Sequence, residues 1–333
     1  MKLNQTPKHR GADRDGLPQF VSALLRAFGV AGSSGGLAVR AALIAACLVA
    51  VVLTMPLASG DDVRPEAEAA APQAEPVNYQ GLWWKSPPGS ESGWGISIAH
   101  EGDTVVATWL TYGANGKPLW MMATLARTST NAYSGPIMTA TGPPFDSVPF
   151  DSNSVVRAVV GSMTITFFGD DNAYFAYTVG SVSQSKTITR QDFASPVPSC
   201  SWGAQPDLTL ATNFQDRWFD NAEPGWEINF AHQGNVIVAT WATYGADGMP
   251  LWFFVTAPGT GTNVYAGPIY TTTGPSFDAV PWDPTQVVAT AVGNATFTFT
   301  DGNHATFDYT VKGTSQSKGI TRKVFVPPGT VCF

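Results

Sequence analysis

The sequence predicts an all-β protein with two tandem antiparallel meander β-barrel-like domains behind an N-terminal apolar helix. Three observations point to this fold class. Only 13% of the 333 residues are charged and 12% are aromatic, with 33 Gly and 25 Pro, a composition typical of strands and turns. Apolar residues alternate at a period of two. A long segment occurs twice. Two β-sandwiches are the alternative arrangement.

The first 78 residues form three segments before the first β domain. Residues 1–40 are a basic leader. Residues 41–58, AALIAACLVAVVLTMPLA, are uncharged and apolar, and they predict a signal peptide or a membrane anchor helix. Residues 59–78 are rich in Ala, Pro and Glu, which predicts a disordered linker. Both alternatives place the rest of the chain in the cell envelope, periplasmic or otherwise extracytoplasmic, either secreted or anchored through 41–58.

The exported part is acidic. After residue 60 the chain has 12 Lys and Arg against 23 Asp and Glu, a net charge of −11. Nucleic acid binding requires a basic surface, so a nucleic acid partner is excluded. A small molecule or a glycan remains as a partner, and the oligomeric state stays open.

The repeat divides the exported part into two domains. Adding 132 to a residue number gives its partner, and 18 of 28 positions are identical between 93–120 and 225–252. We therefore expect β domain 1 at 79–193, a linker at 194–213 and β domain 2 at 214–333. Beyond the segment 93–120, each unit continues with strands expected near 132–139, 155–168, 173–180 and 184–193, which together with 80–85 make about eight. Eight meandering strands close most easily into a barrel.

Hairpin turns set the expected register in each unit. A two-residue loop at Glu101-Gly102 would bring Trp94 opposite Trp109. A two-residue loop at Asn115-Gly116 would add Trp120 to the same face. The opposite face, with Leu119 and Met121, is then expected to pack on the other domain.

Two Trp trios are the candidate ligand-binding residues. They either fill a barrel or line a pocket for a sugar, a heterocycle or a cation. The trios are Trp94, Trp109 and Trp120 in the first unit, and Trp226, Trp241 and Trp252 in the second.

His100 and His232 are the obvious catalytic suspects. Each lies beside a hairpin turn, where it is expected to bond a turn carbonyl or carboxylate; ligand contact and catalysis are the alternatives. No metal-binding spacing occurs in the sequence, and no G-x-S-x-G nucleophile motif occurs after residue 60. We therefore assign no catalytic residue, no metal and no cofactor.

Two further groups of polar residues have structural explanations. Asp146 and Asp151, with Asp278 and Asp283 in the second copy, lie among Pro and Gly and are expected to cap turns rather than to bind calcium or act as acid and base. Lys186 and Lys318 lie in the last strand of each unit and are expected to stabilise the end of the barrel.

The first and last strands carry a pattern similar to that of lipocalins, fatty-acid-binding proteins and avidins. Gly81-Leu82-Trp83 begins the first unit, and Arg190 ends it. The second copy keeps Trp218 and Arg322 but has Asp216 in place of the Gly. The resemblance implies meander barrels closed by Trp under Arg, with a pocket for a small hydrophobic ligand. The repeat also resembles one found in secreted bacterial proteins of unassigned function.

Cysteine usage predicts one disulfide. Cys200 and Cys332 are the only cysteines after residue 60, and each lies ten residues after the repeated Arg. An oxidising compartment favours a bond between them that ties the two units together.

The sequence thus predicts an exported, non-enzymatic binding module for a small hydrophobic or carbohydrate ligand. A structural or interaction protein of the cell envelope is the first alternative. A hydrolase that uses His100 with an Asp is the second, and it requires a carboxylate beside His100 in an open cleft.

Overall fold

The computed structural model describes residues 77–333. Our predictions for 1–40, 41–58 and 59–76 lie outside the described residues. Residues 77–333 form two closed eight-stranded antiparallel barrels. The predicted all-β class with two tandem barrels is confirmed, and the sandwich alternative is wrong because the first and last strands of each unit pair with each other.

Both barrels are simple meanders in which each strand pairs with the next. The strands of barrel 1 are β1 Gly81–Lys85, β2 Gly95–Glu101, β3 Thr104–Tyr112, β4 Pro118–Arg127, β5 Ala132–Thr141, β6 Val156–Phe167, β7 Asn172–Val179 and β8 Val182–Arg190. After β9, Cys200–Trp202, barrel 2 consists of β10 Asp216–Phe219, β11 Glu227–Gln233, β12 Val236–Tyr244, β13 Pro250–Gly261, β14 Val264–Thr273, β15 Val288–Phe299, β16 His304–Val311 and β17 Thr314–Arg322. Short 3-10 turns occur at Ser152–Ser154, Leu208–Leu210 and Pro284–Gln286.

The expected disulfide is present between the two segments that follow the barrels. The final strand, β18 at Thr330–Cys332, pairs with β9, and this register puts Cys332 opposite Cys200. Their sulfurs are bonded, and the Cα atoms lie 3.9 Å apart. The bond closes a loop with a sequence separation of 132 residues, so it links the end of one barrel's chain to the end of the other's.

The first hairpin loop is one residue later than predicted. Glu101 pairs with Thr104, so Gly102-Asp103 is the two-residue loop, and Gly102 takes the positive φ of 55°. Trp109 therefore lies opposite Ile96 instead of Trp94. Because the shift is even, the side chains predicted to share a face still share it, and this face points into the barrel.

The second hairpin loop has three residues, and this overturns the prediction for Trp120. Gly113 N–H bonds to Lys117 O, and Gly116 takes a φ of 70°, the pattern of a type I turn followed by a left-handed residue. Trp109 consequently faces Met121. An odd shift exchanges the two faces of a strand, so Met121 points inward and Trp120 points out of barrel 1.

Each barrel mouth is covered by a loop of the other barrel. Phe277, after β14, packs edge-on against Trp109 at 5.8 Å, and its N–H bonds to Tyr112 O at 2.9 Å. Phe145, after β5, packs against Trp241 at 5.6 Å in barrel 2. Its N–H bonds to Tyr244 O at 3.0 Å. The loops are therefore exchanged reciprocally.

The outward-facing Trp residues complete this symmetric contact. Trp120 donates its indole N–H to Thr243 O at 2.7 Å, and Trp252 donates to Thr111 O at 2.8 Å. The face that packs on the other domain is thus the Trp120 face, and our prediction for Leu119 and Met121 is wrong. Met121 is 1% exposed inside barrel 1.

At the opposite end, one side chain of each barrel forms hydrogen bonds to the segment that follows the last strand of the other barrel. Gln233 Oε1 accepts from the N–H groups of Phe193 and Ala194, and its Nε2 donates to Gln191 O. Glu101 is the equivalent residue in barrel 1. Its Oε2 accepts from the N–H groups of Phe325 and Val326.

The second carboxylate oxygen of Glu101 is buried without a hydrogen-bond partner. The repeat places the carbonyl of Lys323 where Gln191 O meets the amide of Gln233, and only a protonated carboxyl can donate there. Burial raises the pKa of Glu101 to about 7, helped by the charge of Asp216 and opposed by the Val326 and Phe325 N–H groups and by Arg217.

The substitution Glu101→Gln should remove a pH dependence of stability. The folded-state pKa exceeds the ordinary value of 4.5, so the folded state holds the extra proton between these values. The contribution of Glu101 to wild-type stability should fall as pH rises from about 4.5 to about 7 and then level off, by at most about 3.5 kcal/mol at about 1.4 kcal/mol per pKa unit, and the comparison with the variant cancels the opposite contribution of the two buried His residues. Between pH 4.5, 6 and 8, the melting temperature of the variant should rise relative to that of the wild type.

Gln233→Glu is the matched control, because it should introduce the same dependence at the equivalent place in barrel 2. A difference in melting temperature between Glu101→Gln and wild type that is constant across this pH range would contradict the interpretation.

Candidate functional site

The lumen-facing Trp residues belong to the barrel cores. Trp94 and Trp109 are 2% and 1% exposed. Trp109 packs against Phe175 and Tyr177 at 5.1 and 4.5 Å, and Phe277 covers the mouth. Barrel 2 repeats the arrangement, with Trp226 and Trp241 buried among equivalent rings. Side chains therefore fill the space in which a lumenal ligand would lie.

His100 and His232 are buried at the end of the barrel opposite the exchanged loops. His100 Nδ1 accepts from Tyr79 N–H at 3.1 Å, and Nε2 lies 3.0 Å from Gly102 O. Burial lowers the pKa of His100 to about 4 against the effect of the Gly102 carbonyl, and burial likewise lowers that of His232 to about 4. The turn carbonyl predicted from sequence is the partner. The hydrolase hypothesis lacks its required carboxylate, because none bonds His100 among the described residues.

Trp and Arg lie opposite each other where each barrel closes. Trp83 pairs with Arg190 in register, and Trp218 pairs with Arg322. The guanidinium carbons lie 5.1 and 5.2 Å from the respective ring centroids, within cation–π range.

The two closures differ in the source of the counter-charge. Arg190 pairs with Asp171, whose side chain is 63% exposed, at 2.8 Å. Arg322 pairs with Asp216 at 3.2 Å, and both side chains are fully buried. Asp216 stands where barrel 1 has Gly81, and Asn303 stands where it has Asp171. The departure from the Gly-x-Trp pattern thus moves the carboxylate from a hairpin tip to the first strand.

The other predicted polar residues have structural partners. Lys186 bonds Glu91 at 2.7 Å, and Glu91 also accepts from the Trp94 indole N–H. Lys318 and Glu223 repeat this pairing. Sequence reasoning missed both Glu residues because they lie in loops outside the alternating pattern.

The loop aspartates divide into two kinds. Asp151 and Asp283 cap the 3-10 turns at Ser152–Ser154 and Pro284–Gln286. Asp146 and Asp278 are exposed beside the exchanged Phe residues. No group of His, Cys, Asp or Glu in residues 77–333 is placed to hold a metal ion.

A cavity of about 200 Å³ lies between the outer faces of the two barrels. It is lined by residues of barrel 1 that include Trp120, Met122, Met138 and Arg157, and by residues of barrel 2 that include Arg217, Phe219, Trp226, Glu227, Ala242, Tyr244 and Lys323. Trp120 and Trp226, from different predicted trios, therefore meet at one site.

A charged pair forms part of the cavity wall. Arg217 donates from both Nε and Nη2 to Glu227 Oε2. Glu227 Oε1 accepts from Thr108 Oγ1 of barrel 1 at 2.7 Å and from Asn229. Although burial opposes ionisation, Arg217 and these hydrogen bonds hold the pKa of Glu227 below its ordinary value. The carboxylate is therefore ionised and anchored to both barrels.

At the equivalent place on the other side of the contact, uncharged and mostly apolar residues stand in these positions. Leu82 and Leu110 stand where the cavity has Arg217 and Ala242, and Phe254 and Tyr270 stand where it has Met122 and Met138. The rings of Phe254 and Tyr270 stack with centroids 5.0 Å apart. The two copies thus differ in the side chains that bound this space.

Sequence reasoning did not identify Arg217, Glu227, Ala242 or Lys323 as site residues. A usable signal was present in the differences between the copies, since Glu227 replaces Gly95 and Ala242 replaces Leu110. These differences acquire meaning only when the register shows that all four positions face the other barrel.

Removal of the buried carboxylate that pairs with the closing Arg of barrel 2 should lower the free energy of unfolding far more than removal of the exposed carboxylate in barrel 1. Asp216→Ala leaves Arg322 buried without its charge partner and should lower the free energy of unfolding by about 3–5 kcal/mol. Asp171→Ala, the matched control in barrel 1, should cost less than about 1 kcal/mol. Denaturant unfolding of both variants measures this, and equal losses would contradict the interpretation.

Among residues 77–333, no helix is both long and apolar enough to span a bilayer. No protein-family model matches the chain, and no curated protein matches it.

Proposed function

We propose that the protein is an exported, non-enzymatic binding module that holds a small ligand in the cavity between its two barrels. The cavity lined by Trp120 and Trp226 is the single observation that carries this proposal. Both lumens are filled with aromatic side chains, so ligand binding is assigned to the contact between the barrels instead of their interiors.

The walls of the cavity favour an apolar ligand over a sugar. Trp120 donates its N–H to Thr243 O, Trp226 donates to Glu223, and Tyr244 donates its hydroxyl to Gly225 O. With these donors occupied, none of the three residues has a free side-chain N–H or O–H for a sugar hydroxyl. Ring faces and Met side chains gain most from contact with apolar groups.

The volume limits the size of the ligand. An apolar cavity of about 150 Å³ accommodates benzene, whereas drug-sized ligands occupy about 300–1,000 Å³. A cavity of about 200 Å³ suits a single ring or short chain with one small substituent.

Location outside the cytoplasm is part of the proposal. It is supported by the apolar segment 41–58 after a basic leader and by the disulfide between Cys200 and Cys332, a bond that persists in oxidising compartments. Residues 41–58 would also provide the membrane contact if they are not cleaved.

Filling the cavity should abolish ligand binding without loss of the fold. Ala242→Leu places in barrel 2 the residue that barrel 1 has at position 110 and adds volume inside the cavity. Titration of the full-length protein with single-ring aromatics and with monosaccharides, followed by tryptophan fluorescence, should show saturable binding of the aromatics. We expect at least tenfold weaker binding in the variant.

Ala126→Leu, at an exposed position of β4, is the matched control and should bind as the wild type does. A melting temperature of Ala242→Leu close to that of the wild type will show that the variant keeps the fold, so that lost binding reports on the cavity. A flat response of the wild type to both ligand classes would contradict the proposal.

A structural or interaction protein of the cell envelope is the second candidate. It is supported by the filled lumens and by the reciprocal exchange of the Phe145 and Phe277 loops, which make the two barrels one packed body. A wild type that binds neither ligand class would favour this candidate.

A further inference from the structure

The duplication provides an internal reference for the charges in the cavity. Arg217 and Lys323 of barrel 2 correspond to Leu82 and Gln191 of barrel 1. Barrel 1 closes its own sheet at this place with an apolar and a neutral residue. Two cations at these positions are therefore not a requirement of the fold.

Arg217 and Lys323 lie directly opposite each other at the edge of the cavity. The Lys323 N–H bonds to Arg217 O at 2.7 Å, which continues the register in which Trp218 pairs with Arg322. Both side chains line the cavity. Like charges directly across a strand pair are destabilising, so an anion next to both side chains would stabilise this pair.

Glu227 compensates only part of this positive charge. It takes the Nε and Nη2 donors of Arg217, whose Nη2 also lies 3.5 Å from Met122 Sδ. No residue among 77–333 accepts a hydrogen bond from Nη1 of Arg217, and the side chain is 12% exposed.

Lys323 also lacks an anionic partner. Its Nζ lies 4.3 Å from the centroid of the Phe219 ring, and it forms no ion pair within the described part of the chain. With Arg157 at the exposed side, the cavity lining has three cations and one carboxylate. The lining is thus net positive although the whole protein is acidic.

We propose that the cavity selects a small monoanion, an aromatic or short aliphatic carboxylate, with its apolar part against Trp120 and Trp226 and its carboxylate on Arg217 and Lys323. This inference rests on the proposed binding function and adds the charge of the ligand to it. Nη1 of Arg217 and Nζ of Lys323 supply donors whose hydrogen bonds to a carboxylate are charge-assisted.

A matched ligand pair separates charge from shape. Phenylacetate and phenylacetamide are close in size and shape and differ in charge, and each has one ring and one small substituent. Isothermal titration of the full-length protein at pH 7 should give at least about tenfold tighter binding of phenylacetate, the difference expected for one charge-assisted hydrogen bond. The preference should shrink as salt is raised, because screening weakens the partly exposed charge of Lys323.

Two variants test the assigned residues. Lys323→Gln restores the residue of barrel 1 and should reduce the preference for phenylacetate severalfold while leaving phenylacetamide binding unchanged. Arg217→Leu combined with Glu227→Gln removes the charge pair together, so that no unpaired charge stays buried, and should also reduce the preference. Lys312→Gln, an equal change of net charge at an exposed loop tip, should not alter it.

The outcomes distinguish this inference from the proposed function. If neither compound binds, the proposed function itself fails. If both bind equally and Ala242→Leu abolishes both, the cavity is the ligand site and the inference about charge is overturned. A preference for phenylacetate that persists in Lys323→Gln and in the double variant would also overturn it.

Discussion

The reciprocal exchange of Phe145 and Phe277 is the contact on which the rest of the structure depends. Each ring covers the mouth of the other barrel and meets its lumenal Trp. Tyr177 and Tyr309 donate their hydroxyls to the carbonyls of these two Phe residues. Neither barrel closes this end with its own chain, so each depends on the other for a complete core. The relative position of the barrels is thereby fixed, and with it the space between their outer faces.

The same exchange explains why the two sides of the contact can differ. The contact between one surface patch of barrel 1 and a different patch of barrel 2 is repeated at a second place with the roles of the two barrels exchanged. Substitutions in one copy then change one place and leave the other intact. Leu110 and Phe254 occupy space on one side that Ala242 and Met122 leave open on the other. The duplicated chain thus contains one filled contact and one open contact, and the open contact is the site at which we propose that a ligand binds.

The fold was predictable from sequence to a large extent because its signals are local. Alternation, Gly turns and a constant offset of 132 residues specify eight strands per unit and bring Cys200 and Cys332 to equivalent places. The face of Trp120 was not predictable in this way, since one additional loop residue before Gly116 exchanges the inward and outward faces of the strand. The exchange of the loops could not be predicted for a different reason. The segment GPPFD indicates a turn followed by an aromatic ring, but no local signal indicates which of the two similar barrel mouths the ring covers. The cavity could not be predicted for the same reason, because its walls come from both barrels.

The charge pair in the cavity is best understood from the copy that lacks it. Replacing a buried ion pair with apolar residues is often neutral or stabilising, and barrel 1 provides the replacement in Leu82 and Gly95. Both versions exist in one molecule, on the same strands and beside the same Trp–Arg closure. Barrel 2 nevertheless contains Arg217 and Glu227, and it places Lys323 next to Arg217 at an additional electrostatic cost. Stability of the barrel does not account for this arrangement, because the other barrel closes without it. The anionic ligand that we propose would account for it, since it would bond the Arg217 donor that Glu227 does not use and offset the like charges of Arg217 and Lys323.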